Sequence, residues 1–595
     1  MGRDIRASIV AHPAKTFLIV CPIIAFLSLS STPAFVPIVA LVTSLRLWAW
    51  VSIPRTDHKA SQLAQVLLVA LASSAAQLAP TLEALSTPTT SLIVLTILST
   101  TTSSIAFIPF FLSYYVRRVV NTPWAHLTVF PALWASTWGF MSQVSPLGHL
   151  ASWSPVLGLG LYDWTREVFG QWGIDWITAA WAVVVSELLG DWLVAVDQQE
   201  LDEQTQDLLV DVDINTLAGT NPTATDATER TRSRTPLSRS NGLWTLTVLL
   251  VALAGYSYVI PSLPIPPEAA DTTPFTVGCA LPATHTIGKY VRTPKLQDYI
   301  YETTTIQNQA PIVLWPEGAV RFDSPEEKLE AFKRIQEPMG KGRYVGISFE
   351  DNIPPYLEDG IYHPAVRRNG FALLGYRGPP VMEYYKRHLV PIAESFDLTP
   401  GTEQPPIYTF ELKNPKSYTR PEWAPAPNYT RPIPVTTSIC FDFASSSSFT
   451  QLDSRPAIIL APARTWHLNI GMSMWEQAKA RAKETGSVVV WCDGGAGGVS
   501  GVAARGHEEI LQVGQGTWTK TIGLPWPFDQ RRTAFVAGGQ GMALGVAWSI
   551  VGLGWAVEAL ARRGGILFAP VAGLLARLPR WGRPKPDEER PLLHD

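Results

Sequence analysis

The stretch Leu314–Ala319 reads LWPEGA, in which a short apolar run ends in a turn that carries a carboxylate, Glu317. The run Ile312–Leu314 is typical of a buried β-strand. Pro316 precedes the glutamate, and a small residue follows it. Taken alone, this pattern is better explained as a surface turn, so its meaning depends on what the rest of the chain supplies.

A lysine follows a second β-type run. Residues 384–394 read YYKRHLVPIAE, with Lys386 directly after the run and Glu394 eight residues later. Taken alone, this pattern is as typical of solvated charges at the end of a strand as of a functional site.

A cysteine follows a third β-type run. Residues 436–443 read TTSICFDF, in which Cys440 ends the run and Asp442 comes two positions later. A lone cysteine is more often a buried structural residue than a nucleophile. Cys492 is a rival candidate, because it also ends a β-type run and an aspartate follows it directly.

Together the three patterns predict one site. Glu317, Lys386 and Cys440 follow in this order with separations of 386 − 317 = 69 and 440 − 386 = 54 residues. Strand ends on one edge of a sheet can meet in space. A thiol becomes a strong nucleophile only as a thiolate. The glutamate can take its proton, and the lysine can favour the thiolate and stabilise an oxyanion.

The composition predicts a membrane protein of more than one domain. The chain has 595 residues, only 16% of them charged, a positive mean hydropathy and 22 tryptophans, which suits lipid-facing surfaces. The net charge of −3 gives no reason to expect a nucleic-acid partner. No cofactor or metal is expected, because the four cysteines show no C-x-x-C spacing and cannot form a dense disulfide framework.

Apolar segments predict about eight membrane spans. The first two are short, and they form either a hairpin broken at Thr32-Pro33 or one long tilted helix; the hairpin makes the charges of the loops alternate. The basic start Met1–Lys15 is also how a signal peptide begins, but we expect a retained helix. The segments are Thr16–Ser31, Pro33–Ser52, Ser61–Leu78, Ser91–Val116, Trp124–Val144, Ile174–Val196, Leu243–Ile260 and Ala537–Leu560.

The distribution of Lys and Arg predicts the orientation. Basic residues cluster in alternate loops, so both termini are expected in the cytoplasm and the large soluble segment on the other side. The expected parts are a membrane domain at 1–262 with about seven spans and a flexible loop at 197–241, a catalytic domain at 273–525, a last span at 537–560 and a basic cytoplasmic tail at 561–595.

Strand and helix signals alternate in the soluble segment, which predicts an α/β sandwich. Helices are expected after Ser324 and over Trp475–Thr485, where Gly486 ends the helix. The predicted strands are Ile312–Leu314, Tyr344–Phe349, Phe371–Tyr376, Thr437–Phe441, Ala457–Ala461 and Val488–Trp491.

These stretches resemble the carbon–nitrogen hydrolase (nitrilase) superfamily and, within it, the apolipoprotein N-acyltransferases. The resemblance rests on WPEGA, on YYKRHLVPIAE and on Met474–Gly486 with the following Val488–Gly495. It covers most of the chain and is strongest from Pro311 to Gly501, and Phe130–Trp134 in the fifth span is also similar. It implies an αββα sandwich outside the cytoplasm, attached to a multi-span membrane domain.

The resemblance also implies roles for individual residues. Glu317 would be the general base, Lys386 the oxyanion stabiliser and Cys440 the nucleophile. Glu394 matches a second functional glutamate, and Trp466 matches a tryptophan on a loop near the site.

The residues after the nucleophile depart from the family pattern. Phe441 and Asp442 stand where the family usually has Tyr-Glu, and we expect them to support the site or bind substrate. Ala444–Ser448 and residues 463–465 also differ from the usual sequence. The same match places Cys492 on the strand after a helix and away from the nucleophile position.

Three hypotheses follow. The first is an N-acyltransferase that moves a fatty acyl chain from a phospholipid to an amine, through a thioester on Cys440; the acceptor would be a lipoprotein or another lipidated protein. The second is a membrane-tethered amidase. The third is a scaffold with an inactive nitrilase-type domain. A soluble amidase has no need of eight spans, which favours the first.

Overall fold

The chain divides into a helical part and a part built of two β-sheets. The computed structural model describes residue 9 and residues 12–54, 59–85, 87–120, 122–212, 237–259, 271–287, 290–358, 361–413 and 423–563. Most of the N-terminal segment 1–11, the central residues 213–236 of the predicted flexible loop and the tail from 564 therefore lie outside the described residues.

Every predicted span is helical in the structure. Within the described residues, five helices are long and apolar enough to cross a membrane: Phe35–Ser52, Pro88–Val119, Thr165–Leu193, Asn241–Val259 and Ala534–Leu560. The helices of this part are α1 Pro13–Ser28, α2 Phe35–Ser52, α3 Lys59–Ala76, α4 Leu78–Leu82, α5 Pro88–Val119, α6 Pro123–Val144, α7 Thr165–Val212 and α8 Leu237–Tyr256. The number of eight spans and their orientation stay predictions.

The first two apolar segments form two separate helices that pack against each other, with a break between Ser28 and Phe35. The predicted loop at 197–241 is wrong at its start, because α7 continues to Val212. The segment after Asp197 is rich in Glu, Gln and Leu, and these residues favour a helix even where they are highly polar.

Aromatic side chains form the centre of the helical part. Trp48, Trp134 and Trp138 are among its largest fully buried side chains, and Trp134 lies with its ring centroid 5.5 Å from that of Trp138. On the outside, Leu63 and Leu71 of α3 are 62% and 59% exposed. Exposure of these leucines to water would be unfavourable, so this face of α3 suits contact with lipid.

Two large sheets form most of the second part, and the predicted α/β sandwich is confirmed. The strands are β1 Thr272–Cys279, β2 His285–Ile287, β3 Tyr290–Arg292, β4 Ile312–Leu314, β5 Val320–Phe322, β6 Tyr344–Ile353, β7 Tyr356–Glu358, β8 Ile361–His363, β9 Val366–Leu374, β10 Met382–Tyr385, β11 Tyr408–Lys413, β12 Thr430–Thr437, β13 Ile458–Ala463, β14 Val488–Asp493, β15 Val499–Ala504, β16 His507–Val513 and β17 Trp518–Pro525. One large sheet has the strand order β10-β9-β6-β4-β1-β17, with β5 paired to β6, and the other has β11-β12-β13-β14-β15-β16. The pairs β2-β3 and β7-β8 form two further two-stranded sheets.

Helices cover the outer faces of the sandwich. The helices of this part are α9 Leu296–Ile306, α10 Pro325–Gln336, α11 Ser447–Thr450 and α12 Leu468–Thr485, and α13 Ala534–Arg563 follows the last strand. Val313 of β4 packs with the α10 residue Phe332, whereas Leu314 faces the second sheet and belongs to the core that contains Val435 and Trp475. Alternate residues of a strand point to opposite faces, so β4 packs against a helix on one face and against the second sheet on the other.

The two parts meet beside the second sheet. His149, in the 3-10 helix Gly148–Ala151, lies with its Nε2 2.9 Å from Ser446 Oγ. A Cβ on Gly148 would lie 2.3 Å from the carbonyl oxygen of Ala444, so only glycine fits this close approach. Lys483 of α12 forms an ion pair with Asp163 of the helical part.

A disulfide joins the two sheets. Cys279 is the last residue of β1, and Cys492 lies in β14. The sulfur atoms close a loop with a sequence separation of 213 residues. A cross-link of this kind restricts the unfolded chain more than the folded one.

We expect the double substitution Cys279→Ala/Cys492→Ala to lower the free energy of unfolding by about 2–5 kcal/mol. Guanidinium unfolding in detergent, followed by tryptophan fluorescence, measures this change. Cys21→Ala is the matched control, because Cys21 is a buried free cysteine in the helical part. An unchanged denaturation midpoint in the double variant would contradict a stabilising role of the disulfide.

Candidate active site

Glu317 lies in the turn that follows β4, as predicted. Its backbone N–H donates to the carbonyl of Ala463 in the second sheet (3.2 Å), and the next N–H, of Gly318, donates to Ser348 Oγ (3.4 Å). Gly318 has φ of +59°, a conformation that glycine adopts without strain. The turn therefore fixes the Glu317 carboxylate at the junction of the two sheets, where the side chain is buried.

Lys386 directly follows β10. Its N–H donates to the carbonyl of Asn369 in β9 (2.9 Å). Its Nζ donates to Glu317 Oε1 (2.7 Å) and to both carboxylate oxygens of Glu394 (2.8 Å each). Glu394 in turn accepts the N–H of Val390 (2.8 Å), which closes the loop that carries it. The ammonium is thus buried between two carboxylates.

Cys440 does not end a strand, so the prediction of a strand over Thr437–Phe441 is wrong. β12 ends at Thr437, and Cys440 begins the 3-10 helix Cys440–Ala444 with φ of +40°. The carboxylate of Asp442 accepts the N–H of Ile439 (3.1 Å) and so favours a tight turn at this point over a continued strand. A non-glycine residue at positive φ is uncommon, and such strain is concentrated at functional sites.

The three predicted catalytic side chains lie together. The Cys440 thiol lies close enough to the Glu317 carboxylate for each group to shift the pKa of the other, and the nearby backbone N–H of Arg464 lowers the pKa of Cys440. Since Glu317 accepts a hydrogen bond from Lys386, the carboxylate links the thiol to the ammonium. The arrangement places a thiol, a carboxylate and a positive charge next to one another.

Burial and charge set the protonation states of the group. Burial raises the pKa of Cys440 well above that of free cysteine, and the neighbouring carboxylate raises it further. Burial also raises the pKa of Glu317, against the effect of Lys386. Burial lowers the pKa of Lys386, but the negative groups around it outweigh burial, and the net shift is upward. The raised pKa of Cys440 keeps the resting thiol neutral, and the raised pKa of Glu317 makes its carboxylate a stronger base.

Asp442 forms hydrogen bonds with residues on either side of Lys386. It is fully buried and accepts hydrogen bonds from Tyr384 Oη (2.8 Å) and from the N–H groups of His388 (2.8 Å) and Arg387 (3.2 Å). Burial raises the pKa of Asp442, but the hydrogen bonds outweigh burial and hold it below the usual range. Because Tyr384 lies just before Lys386 and Arg387 and His388 lie directly after it, the Asp442 carboxylate positions the lysine relative to the cysteine-bearing turn.

The catalytic group opens into a cavity of ≈ 270 Å³ that both parts of the chain line. Phe441 and Trp466 lie on its wall, and Trp466 Nε1 donates to the carbonyl of Pro80 in α4 (3.3 Å). One face of α5 also lines the cavity with Ser91, Leu95, Leu98, Ser99 and Thr102, at the spacing of a single helical face. The cavity thus extends from the thiol to the helical part of the chain.

Cys492 is not a rival nucleophile. It is bonded to Cys279 and fully buried. Its neighbour Asp493 instead accepts the N–H of Thr465 (2.9 Å) and holds the loop after β13 in place.

Sequence patterns missed two groups at the site. Asn369 Nδ2 donates to Glu317 Oε1 (2.6 Å), and the backbone N–H of Arg464 lowers the pKa of Cys440. Asn369 lies inside β9, and Arg464 is the first residue after β13. No local pattern marks either residue, since an asparagine inside a strand and a backbone amide carry no distinctive spacing.

Similarity to known proteins is found among solved structures. No protein-family model matches the chain, and no curated protein matches it. An amidase from Nesterenkonia sp. is 15% identical, and the match covers 46% of this chain and 96% of that one with a TM-score of 0.31. The structural neighbours are amidases of the nitrilase superfamily.

A variant of the Nesterenkonia AN1 amidase from the nitrilase superfamily is 15% identical to this chain. The match covers 48% of this chain and 99% of the amidase, with a TM-score of 0.32. Another variant, at 16% identity, the same coverage and the same TM-score, carries the acetamide moiety of fluoroacetamide on its active-site cysteine. A likeness of this size gives no information on the substrate of the present chain.

Proposed function

We propose that this protein is a membrane N-acyltransferase that moves a fatty acyl chain from a phospholipid to an amine, through a thioester on Cys440. One observation carries the proposal: the Glu317–Lys386–Cys440 group and the α5 helix of the helical part line one common cavity. An enzyme for soluble amides has no use for such a cavity, whereas a lipid acyl chain fits between apolar helices.

The first half-reaction forms the acyl-enzyme. Glu317 takes the thiol proton while the Cys440 sulfur attacks the ester carbonyl of the phospholipid. The Lys386 ammonium stabilises the oxyanion of the tetrahedral intermediate. The ester C–O bond then breaks, and Glu317 returns its proton to the oxygen of the leaving lysophospholipid.

The second half-reaction moves the acyl chain. An amine attacks the thioester carbonyl and gives a proton to Glu317, and the C–S bond breaks. Glu317 then returns the proton to the Cys440 thiolate. The acceptor is an amine on a lipoprotein or another lipidated protein, which would reach the thioester from the bilayer surface. The buried thiol and the apolar cavity wall keep water from hydrolysing the thioester.

The disulfide supports a location of the catalytic domain outside the cytoplasm. Cys279 and Cys492 are bonded in the core, and such bonds persist in oxidising compartments. This agrees with the orientation that the distribution of basic residues predicts.

Mass spectrometry tests the proposal. The purified protein, incubated with a phospholipid labelled in its acyl chain, should gain the mass of that chain at Cys440 as a hydroxylamine-sensitive thioester. An added peptide amine should then remove the label and become N-acylated. A protein that hydrolyses simple amides but takes no acyl chain from phospholipid would be an amidase instead.

We expect Glu394 to affect the pKa of Glu317, the proposed general base. Glu317 is active as a base only when it is deprotonated, so acylation falls as pH falls through its pKa. The negative charge of Glu394 is one of the causes that raise this pKa. We therefore expect Glu394→Gln to move the acid limb of the pH profile to lower pH. We also expect turnover about tenfold to a hundredfold lower at neutral pH, because Lys386 loses a charged hydrogen-bond partner.

The pH dependence of acyl-enzyme formation measures both effects. Glu350→Gln is the matched control, since Glu350 is a nearby carboxylate that pairs with Arg367 and does not contact Lys386. A Glu394→Gln variant with wild-type turnover and an unmoved acid limb would reduce this residue to a solvated loop carboxylate.

A further inference from the structure

Arg464 presents a positive charge beside the nucleophile. It is the first residue after β13 and lines the same cavity as Cys440, and its backbone N–H is near enough to lower the pKa of the Cys440 thiol. Its side chain is exposed. The guanidinium therefore lies within one side-chain length of the place where an ester carbonyl would be attacked.

The backbone around Arg464 is held on both sides. The carbonyl of Ala463 accepts the N–H of Glu317 (3.2 Å). The N–H and hydroxyl of Thr465 donate to the two carboxylate oxygens of Asp493 (2.9 and 2.7 Å). Since its neighbours are fixed, the starting point of the Arg464 side chain is fixed relative to the thiol.

The charge of Arg464 is not matched within the described residues. Lys386 is neutralised by two carboxylates, whereas the Arg464 guanidinium forms no hydrogen bond or ion pair in the described part of the chain. Arg464 Nη1 and Glu350 Oε1 each lie 3.8 Å from the position that a Cβ on Gly318 would take, but Glu350 pairs with Arg367 (3.1 Å). A cation without a partner at the edge of a cavity is available to an anionic group of a ligand.

A phosphate fits this position. A guanidinium offers a planar fork of N–H groups that binds phosphate oxygens in pairs. In a phospholipid, the phosphate is separated from the ester carbonyl by only a few covalent bonds. With the carbonyl at Cys440 and the acyl chain along α5, the phosphate would lie near the cavity edge that Arg464 occupies.

We propose that Arg464 binds the phosphate of the phospholipid headgroup and so selects acyl donors that carry a phosphate. This rests on the proposed function for the identity of the ligand as a phospholipid. Binding of the phosphate itself does not require that acyl transfer takes place, and the two can be tested separately.

Equilibrium binding to the Cys440→Ala variant in detergent tests the proposal without turnover. The probes are radiolabelled dipalmitoylphosphatidylcholine and dipalmitoylglycerol, which share their acyl chains but differ in the phosphate headgroup. Adding Arg464→Gln should weaken binding of the phospholipid about tenfold to a hundredfold and leave the diacylglycerol unchanged. The phospholipid affinity of Arg464→Lys should lie between those of the parent and of Arg464→Gln, because lysine keeps the positive charge but lacks the planar pair of N–H donors. Arg377→Gln, an exposed arginine that does not line the cavity, is the control.

Equal affinity of the Arg464→Gln variant and its parent for the phospholipid overturns the proposal, and so does an equal loss for both lipids. Protection of Arg464 from phenylglyoxal separates the sources of phosphate. Inorganic phosphate that protects as well as the phospholipid would assign the residue to a free anion and overturn the lipid assignment. A wild type that binds the phospholipid as expected but forms no acyl-enzyme would sink the proposed function and leave this inference standing.

Discussion

Cys440→Ala should form no acyl-enzyme and should lose turnover by at least about 10⁴-fold, the scale on which loss of a nucleophile acts. The thiol is the only part of Cys440 that the substitution removes, and alanine tolerates positive φ no worse than cysteine does. The fold should therefore survive. Cys440→Ser should be nearly as inactive, because a serine hydroxyl is far harder to deprotonate by a carboxylate than a thiol is.

Intact-mass analysis after incubation with a labelled phospholipid measures the acyl-enzyme, and size-exclusion chromatography in detergent checks the fold. Cys21→Ala is the matched control, because Cys21 is the other free cysteine and lies in α1, away from the cavity. Turnover that persists in Cys440→Ala would refute the nucleophile. Cys492 could not take its place, since that cysteine is disulfide-bonded.

Local sequence patterns predicted the strands that consist of short apolar runs between turns. β4 has the predicted bounds, and β14 begins at the predicted Val488, because short runs of β-branched residues between turns have few alternatives. β12 was missed because Pro432 and Pro434 lie inside it, and proline argues against a strand. β13 pairs with β12 only over Val435–Thr437, so both prolines lie outside that ladder. On the other side of β12 they lie opposite Thr409 and Glu411 of β11.

The start of α12 was less predictable than its end, whereas Ser324 caps the start of α10 as predicted. Gly486 ends α12 with φ of +67°, as expected of a C-terminal glycine. The helix begins at Leu468 and not at the predicted Trp475. His467 caps its start by accepting the N–H of Asn469 (3.1 Å). Histidine is not among the usual N-cap residues, so nothing in the sequence marked this start.

The candidate site was predictable in its order and not in its surroundings. Glu317, Lys386 and Cys440 could be chosen because a carboxylate, an amine and a thiol after successive β-type runs have a chemical reason to meet. The position of the Arg464 N–H near the Cys440 thiol depends on how β13 lies beside the cysteine-bearing turn. Such positions follow from tertiary packing, which periodicity and composition do not specify.

Glu317→Gln should prevent acyl-enzyme formation, with a loss on the order of 10²–10⁴-fold, since the amide has the shape of the carboxylate but is not basic. Lys386 keeps Glu394 as its partner, so the charge stays matched and the fold should hold. Lys386→Ala should block acylation as well. It should also destabilise the protein by about 3–5 kcal/mol, because it leaves two neighbouring carboxylates without their cation.

Lys386→Arg separates charge from geometry. The planar guanidinium restores the positive charge but cannot direct it as a compact ammonium does between Glu317 and Glu394. We expect stability to recover more than acylation does. Single-turnover acylation and guanidinium unfolding, measured on the same preparations, give the two quantities. Glu350→Gln again serves as the control carboxylate. Normal acylation in Glu317→Gln would remove the general base from the mechanism, and full rescue by arginine would mean that Lys386 supplies only charge.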